Sequence, residues 1–208
     1  LSIVYEDEWL VVVDKPHDVL SVPGRNVQDS IKTDLQRLYP NATGPILVHR
    51  LDYSTSGLLL AAKDSNTHKL LQAQFINRTV KKCYTALLNG NLLEQKSIET
   101  QGSIDLPLAG DYLNRPMQKV ERGPEGKPAM TFYEIVQDET PERSRTRIHF
   151  YPQTGRTHQL RVHASHPEGL GMAIVGDDIY GQRDERLCLH AGLLEIDHPF
   201  TKKRVTFR

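Results

Sequence analysis

Long apolar runs are missing from this 208-residue sequence. No stretch approaches the roughly 18 residues of a membrane-spanning helix, and a secretory leader is not expected. A cytoplasmic protein with no membrane partner is expected. Cysteine is scarce: Cys83 and Cys188 lie far apart without a C-x-x-C pair, so neither a disulfide framework nor a zinc ribbon is suggested. Both read as core residues of a reduced protein. A charge excess is also lacking, since 26 basic residues balance 26 acidic ones. No global field announces a nucleic-acid partner, so any such site must be a local patch. Nor is there an internal repeat, a low-complexity tract or a clear linker. Residues 1–208 therefore read as one large domain, or two joined halves, with ample material for a core.

What the chain does contain is a mixture of strand and helix patterns. Ile3–Tyr5 and Trp9–Val13 read as strands around the acidic turn Glu6-Asp7-Glu8, and Lys15-Pro16 stops the second. Val27, Ile31, Leu35 and Leu38 repeat at helical spacing, predicting a helix capped by Asn26 and closed before Pro40. Ser65 is the expected cap of a second helix reaching about Asn77. Alternation along residues 78–88 places Tyr84, Ala86 and Leu88 on one strand face and Cys83, Thr85 and Leu87 on the other. Gln118–Val120 and Pro128–Val136 flank Gly123-Pro124-Glu125-Gly126 and read as a hairpin. Arg147, His149 and Tyr151 share a strand face, a third helix is expected from Arg156 to about Ser165, and the chain ends in a hairpin around Pro199–Lys203. Strict βαβ alternation is absent, which argues for an α+β fold.

The most informative stretch runs from Val48 to Asp64. Its second half, Leu58-Leu59-Leu60-Ala61-Ala62, is short and apolar enough to be a strand buried on both faces. Its first half sets Asp52 between Arg50 and a hydroxyl-rich turn closing at Gly57, a charged loop on a rigid strand base. An isolated R-x-D would be read as a turn carboxylate capping backbone N–H groups. Here His49-Arg50-Leu51-Asp52 followed by Thr55-Ser56-Gly57-Leu58 closely resembles the catalytic signature of the RluA-type pseudouridine synthases. Lys81-Lys82-x-Tyr84 resembles the second motif of that family, and Gly155-Arg156-Thr157-His158-Gln159-Leu160-Arg161 its third. Asp18 stands where the family's opening Lys-Pro-x-Gly pattern has glycine; aspartate tolerates left-handed backbone, so the turn survives. Ala173 replaces a usual proline before Gly176-Asp177 and Tyr180-Gly181.

The resemblance implies an RNA isomerase that turns uridine into pseudouridine without a cofactor. It implies two α+β halves sharing a mixed, largely antiparallel sheet with a central active-site cleft. Asp52 is then the catalytic acid, Tyr84 stacks on the base, and Arg161 pairs with the acid and keeps it ionised. Arg50 resembles the arginine that fills the stack of a flipped nucleotide. His49, Lys81, Lys82, Arg115, Lys119, Lys127 and Arg156 are the other candidate RNA contacts. The branch resembled modifies 23S ribosomal RNA and tRNA anticodon stem-loops, and a monomer without an N-terminal RNA-binding appendage is expected. No metal is expected: His158, His163 and His166 cluster in sequence but lack the i, i+4 spacing and intervening Glu of a zinc pair.

Two other readings compete. A non-catalytic RNA-binding module would use the same basic loops, but a carboxylate beside phosphate opposes binding and makes sense mainly as a reactive group. A glycoside hydrolase would need a second acid about 5–10 Å from the first, and no motif nominates one.

Overall fold

Leu10-Val11-Val12-Val13 is the first apolar run of the chain, and it sits at the centre of the first of two units. The computed structural model describes residues 1–94, 99–136 and 145–208. The chain divides into Leu1–Lys82 with Ala191–Arg208, and Cys83–His190. In chain order, β1 (Ser2–Glu6) and β2 (Leu10–Lys15) pair antiparallel. Asp7 closes their turn by accepting the N–H groups of Trp9 and Leu10 at 2.8 and 2.9 Å. Pro16 ends β2 as the sequence predicts.

The first helix starts later than predicted. α1 spans Ile31–Leu38, with Ser30 as its cap accepting Thr33 N–H at 3.2 Å. Val27 is 53% exposed, so the apolar spacing that included it was partly accidental. Ile31 and Leu35 form the buried stripe. β3 (Ser56–Ala62) is buried at every position and lies antiparallel to β2, in register from Leu10↔Ala62 to Lys15↔Gly57. α2 (Ser65–Ile76) is capped by Asp64, one residue before the predicted cap; its carboxylate takes the N–H groups of Asn66 and Thr67 at 2.9 Å. Aspartate is the better cap because its negative charge also meets the positive end of the helix.

The chain passes into the second unit within β4 (Lys81–Leu88). There follow β5 (Gln101–Asp105), β6 (Leu108–Gly110), β7 (Gln118–Val120), β8 (Met130–Val136), β9 (Thr146–Pro152) and α3 (Gln159–Ser165). β9 pairs with both β4 and β8, and β8 also pairs with β5, all antiparallel. The predicted hairpin of residues 118–120 with 128–136 does not form. β7 pairs instead with β6, from Leu108↔Val120 to Gly110↔Gln118. Leu108 also exchanges two backbone hydrogen bonds with Lys127, so the Gly123–Gly126 turn folds the chain back beside β6 and frees β8 for the larger sheet.

β10 (Leu189–Asp197) returns the chain to the first unit, where β11 (Arg204–Phe207) completes the predicted final hairpin in register Leu194↔Phe207. Each unit has its own core. In the first, Leu10, Val12, Leu58, Leu60, Leu71 and Ile196 pack together; in the second, Ala86, Leu88, Ile148, Phe150 and Leu160 do. Cys83 and Cys188 are free and half-buried. The class is α+β with largely antiparallel strands, and no described helix is long and apolar enough to cross a membrane.

Candidate active site

Asp52 is half-exposed on the loop that leads into β3, and the main chain is held on both sides of it. Before it, the buried Ser21 hydroxyl donates to Leu51 O at 2.7 Å and accepts Leu51 N–H at 3.1 Å. After it, the Lys15 ammonium donates to Tyr53 O at 2.9 Å, and also to Pro16 O and Val19 O at 2.9 and 2.7 Å. Thr55 N–H closes the turn on Asp52 O at 3.2 Å. The main chain that carries the Asp52 carboxylate is thus fixed on both sides.

Lys15 has no exposed surface. Burial pushes its ammonium down to about 8, against the pull of Asp18 and Asp52, which favour the charged form. Asp18 adopts the left-handed φ of +58° that the opening motif needs. Gly57, opposite Lys15, has φ +120°, and a side chain there would lie 2.4 Å from Ala191 O. Only glycine permits that approach of two backbones.

His49 serves beneath the loop rather than on its surface. Leu60 N–H donates to its Nε2 at 3.1 Å, and its ring stacks on Phe75 with centroids 4.9 Å apart. Accepting at Nε2 requires a neutral ring, and burial, aided by the Lys82 charge, pushes its pKa down to about 3. A neutral, inward ring is not a phosphate ligand, which corrects the expectation for His49. Arg50 is exposed on the same loop. Lys81 is exposed and 3.6 Å from Glu195. Lys82 is half-buried, and burial pushes it down to about 8.

The remaining candidates lie in the second unit. Tyr84 sits opposite Phe150 on the core-facing side of β4, partly buried against that core, as its alternation predicts. Arg115 lies in the loop between β6 and β7, its guanidinium 5.6 Å from the Tyr112 ring, while Lys119 on β7 is 3.3 Å from Glu121. Lys127 is exposed beside β6.

α3 begins three residues later than predicted because His158 takes a left-handed φ of +54° just before it. Its first residue, Gln159, is buried and uses its whole amide. Thr154 Oγ1 and Arg156 N–H donate to Oε1 at 2.7 and 3.0 Å, and Nε2 donates to Met130 O and Thr131 Oγ1 at 3.0 Å each. Arg156 also donates from Nε to Pro128 O at 3.0 Å. The histidines of this segment have structural partners. His163, fully buried, bonds Thr131 Oγ1 and Leu106 O at 3.0 Å each, and His158 bonds the Tyr180 hydroxyl at 2.7 Å. Arg161 is 2% exposed and makes a bidentate pair with Asp177, at 2.9 Å from Nε and 2.6 Å from Nη2.

Sequence reasoning missed Lys15, Ser21, Gln159 and Asp177. Lys15, Gln159 and Asp177 do stand in segments that resemble the family's, but the sequence gives none of them a partner. The contacts that give them these roles include partners 38, 30, 29 and 16 residues away in sequence, which no local pattern reports.

Comparison with known proteins gives a consistent result. The profile of the family described as RNA pseudouridylate synthase matches residues 9–166. The chain is 42% identical over 216 residues to the dual-specificity RNA pseudouridine synthase RluA of Haemophilus ducreyi, covering 100% of this chain and 91% of that protein. It is 41% identical over 215 residues to the protein of the same name in Escherichia coli K12, covering 100% and 92%. Among solved structures, human RNA pseudouridylate synthase domain containing 1 aligns with TM-score 0.78 at 30% identity, over 99% of this chain and 81% of that one.

Proposed function

The chain belongs to the RNA pseudouridylate synthase family, and from that premise we propose that it isomerises specific uridines in 23S ribosomal RNA and tRNA anticodon stem-loops, with Asp52 as the catalytic residue. The class of reaction follows from the family: the protein is an RNA-modifying isomerase. The choice of RNA follows the dual-specificity relatives, which align over the whole chain. The proposed setting is the cytoplasm, with the enzyme acting as a monomer.

The reaction breaks the bond between C1′ and N1, turns the uracil in place and joins C1′ to C5. N1 gains a proton and C5 loses one, so the product is an isomer and no redox partner enters. The chemistry needs a carboxylate that attacks or deprotonates the sugar–base unit, in surroundings that deny water access to the intermediate. Asp52 supplies the carboxylate. The observation that carries this assignment is the clamped loop: Ser21 and Lys15 fix the residues on either side of Asp52 and leave its side chain on a half-exposed loop. Tyr84 offers an aromatic face for the base, where stacking contributes about 1–3 kcal/mol. The family resemblance assigns Arg161 the guanidinium that serves the reaction. Arg50, exposed beside Asp52, suits the stack left by an extruded uridine, whose removal costs a few kcal/mol.

Asp52→Asn tests the assignment. Asn preserves the turn and removes the charge, so folding and RNA affinity should stay near wild type while tritium release from C5-labelled uridine RNA falls at least a thousandfold. Turnover within tenfold of wild type would remove Asp52 from its role.

A further inference from the structure

The most buried ion pair among the described residues joins Arg161 to Asp177, whose side chains are 3% and 0% exposed. Asp177 holds one whole edge of the guanidinium through Nε and Nη2. Its Oδ1 also accepts the backbone N–H groups of Ile179 and Tyr180 at 3.1 and 3.0 Å, which pins the carboxylate to the turn that follows it. The Tyr180 ring lies 5.4 Å from the guanidinium carbon and covers a second side of it. Tyr180 is itself tethered, its hydroxyl accepting Gln118 N–H at 2.7 Å and bonding His158 Nδ1 at 2.7 Å.

Two consequences follow. A guanidinium is planar, so fixing one edge and one face fixes the direction of every other N–H it has. The buried carboxylate of Asp177 also opposes the charge of Arg161, with the exposed Asp178 adding a weaker contact to Nη2 at 3.3 Å, where an unpaired buried cation would be costly. The turn at Gly176, with φ +76°, is what delivers the acid: a side chain there would lie 1.8 Å from Arg186 O.

We propose that Asp177 is a positioning residue for the isomerisation, acting through Arg161, which it aims and neutralises so that Arg161 serves the reaction as a directed hydrogen-bond donor rather than a bare cation. This rests on the role proposed for Arg161. The residue touches no substrate, so its removal should slow the step at saturating RNA and leave RNA affinity alone.

The test uses the full chain and compares Asp177→Asn, Arg161→Ala and the double variant. Single-turnover rates at saturating stem-loop RNA, RNA Kd and thermal midpoints are measured. Asp177→Asn should lower the rate by about 10- to 100-fold with Kd within threefold of wild type. Adding Asp177→Asn to Arg161→Ala should lower the rate no further and raise the midpoint above that of Arg161→Ala alone, because a stranded buried carboxylate is removed. If Asp177→Asn fails to fold, Asp177→Glu keeps the charge but shifts the carboxylate by one carbon, and the same loss of rate at unchanged Kd is expected. An Asp177 variant within twofold of the wild-type rate overturns the proposal alone, as do losses that multiply in the double variant. A near-wild-type rate for Arg161→Ala overturns both this inference and the role of Arg161.

Discussion

The buried ammonium of Lys15 is the plainest case of one residue setting up another. Three carbonyls, of Pro16, Val19 and Tyr53, converge on it, and no backbone donor takes their place in the described hydrogen bonds of that turn. Desolvation of the charge opposes this arrangement, which is why the group sits at about 8 rather than 10.5. Between those values the unfolded chain holds more protons on Lys15 than the folded one, so this residue's share of stability rises with pH across that window. Lys15→Met should therefore lose ground to wild type by about 1 kcal/mol per pH unit between pH 8 and 10. It should also cut isomerisation at least tenfold at pH 7.5, since the Asp52 loop loses the donor that fixes Tyr53 O. Urea unfolding of both proteins across that range decides the first point. A difference that stays flat with pH would mean that the ammonium is solvated.

At the scale of elements, α3 begins without a side-chain cap from His158, and Gln159 ties its start to β8. Four hydrogen bonds on one amide are the full capacity of glutamine, so Gln159→Met, though similar in volume, strands two donors and two acceptors. A loss of about 2–4 kcal/mol with an unchanged denaturant slope is expected in urea unfolding, against less than 1 kcal/mol if water replaces the amide. This element also marks where the sequence is legible. β2, β3, the strand carrying Tyr84 and the final hairpin follow from alternation or unbroken apolar runs, because their side-chain period directly records burial. The starts of α1 and α3 do not, since Val27 mimics helical spacing while lying exposed, and His158 needs φ +54°, which composition does not announce. The β6–β7 pairing was hidden by Gly123–Gly126, a turn signal that names a reversal but not its partner. Asp52, Tyr84 and Arg161 stood out through motif resemblance. Asp177 meets Arg161 across 16 residues and Lys15 meets Tyr53 O across 38, separations that no local pattern reports.

For the whole molecule, a net charge of zero conceals an uneven division. The first unit carries 14 basic and 11 acidic residues, the second 12 and 15. RNA phosphates reward cations whose charge is not already answered, because only those release counterions on binding. Lys119 is answered by Glu121 at 3.3 Å and Lys81 faces Glu195 at 3.6 Å, whereas Lys82 lies in the basic unit beside a neutral His49. Lys82 should thus be the stronger phosphate contact. Lys82→Gln should reduce the slope of log K against log salt by about 0.7–0.9, and Lys119→Gln by clearly less. Burial adds a second signature. With its pKa pushed down to about 8, Lys82 is charged at pH 7 and loses its charge as pH rises through that value. The wild-type slope should therefore shrink between pH 7 and 9 by close to the amount that Lys82→Gln removes at pH 7. In Lys82→Gln the slope should hardly change over the same interval, and in Lys82→Arg, charged throughout, it should stay at the wild-type value of pH 7. Fluorescence titration of a labelled stem-loop at four salt concentrations and both pH values measures all four proteins. A wild-type slope independent of pH, or equal effects of Lys82→Gln and Lys119→Gln, would place the RNA backbone away from Lys82.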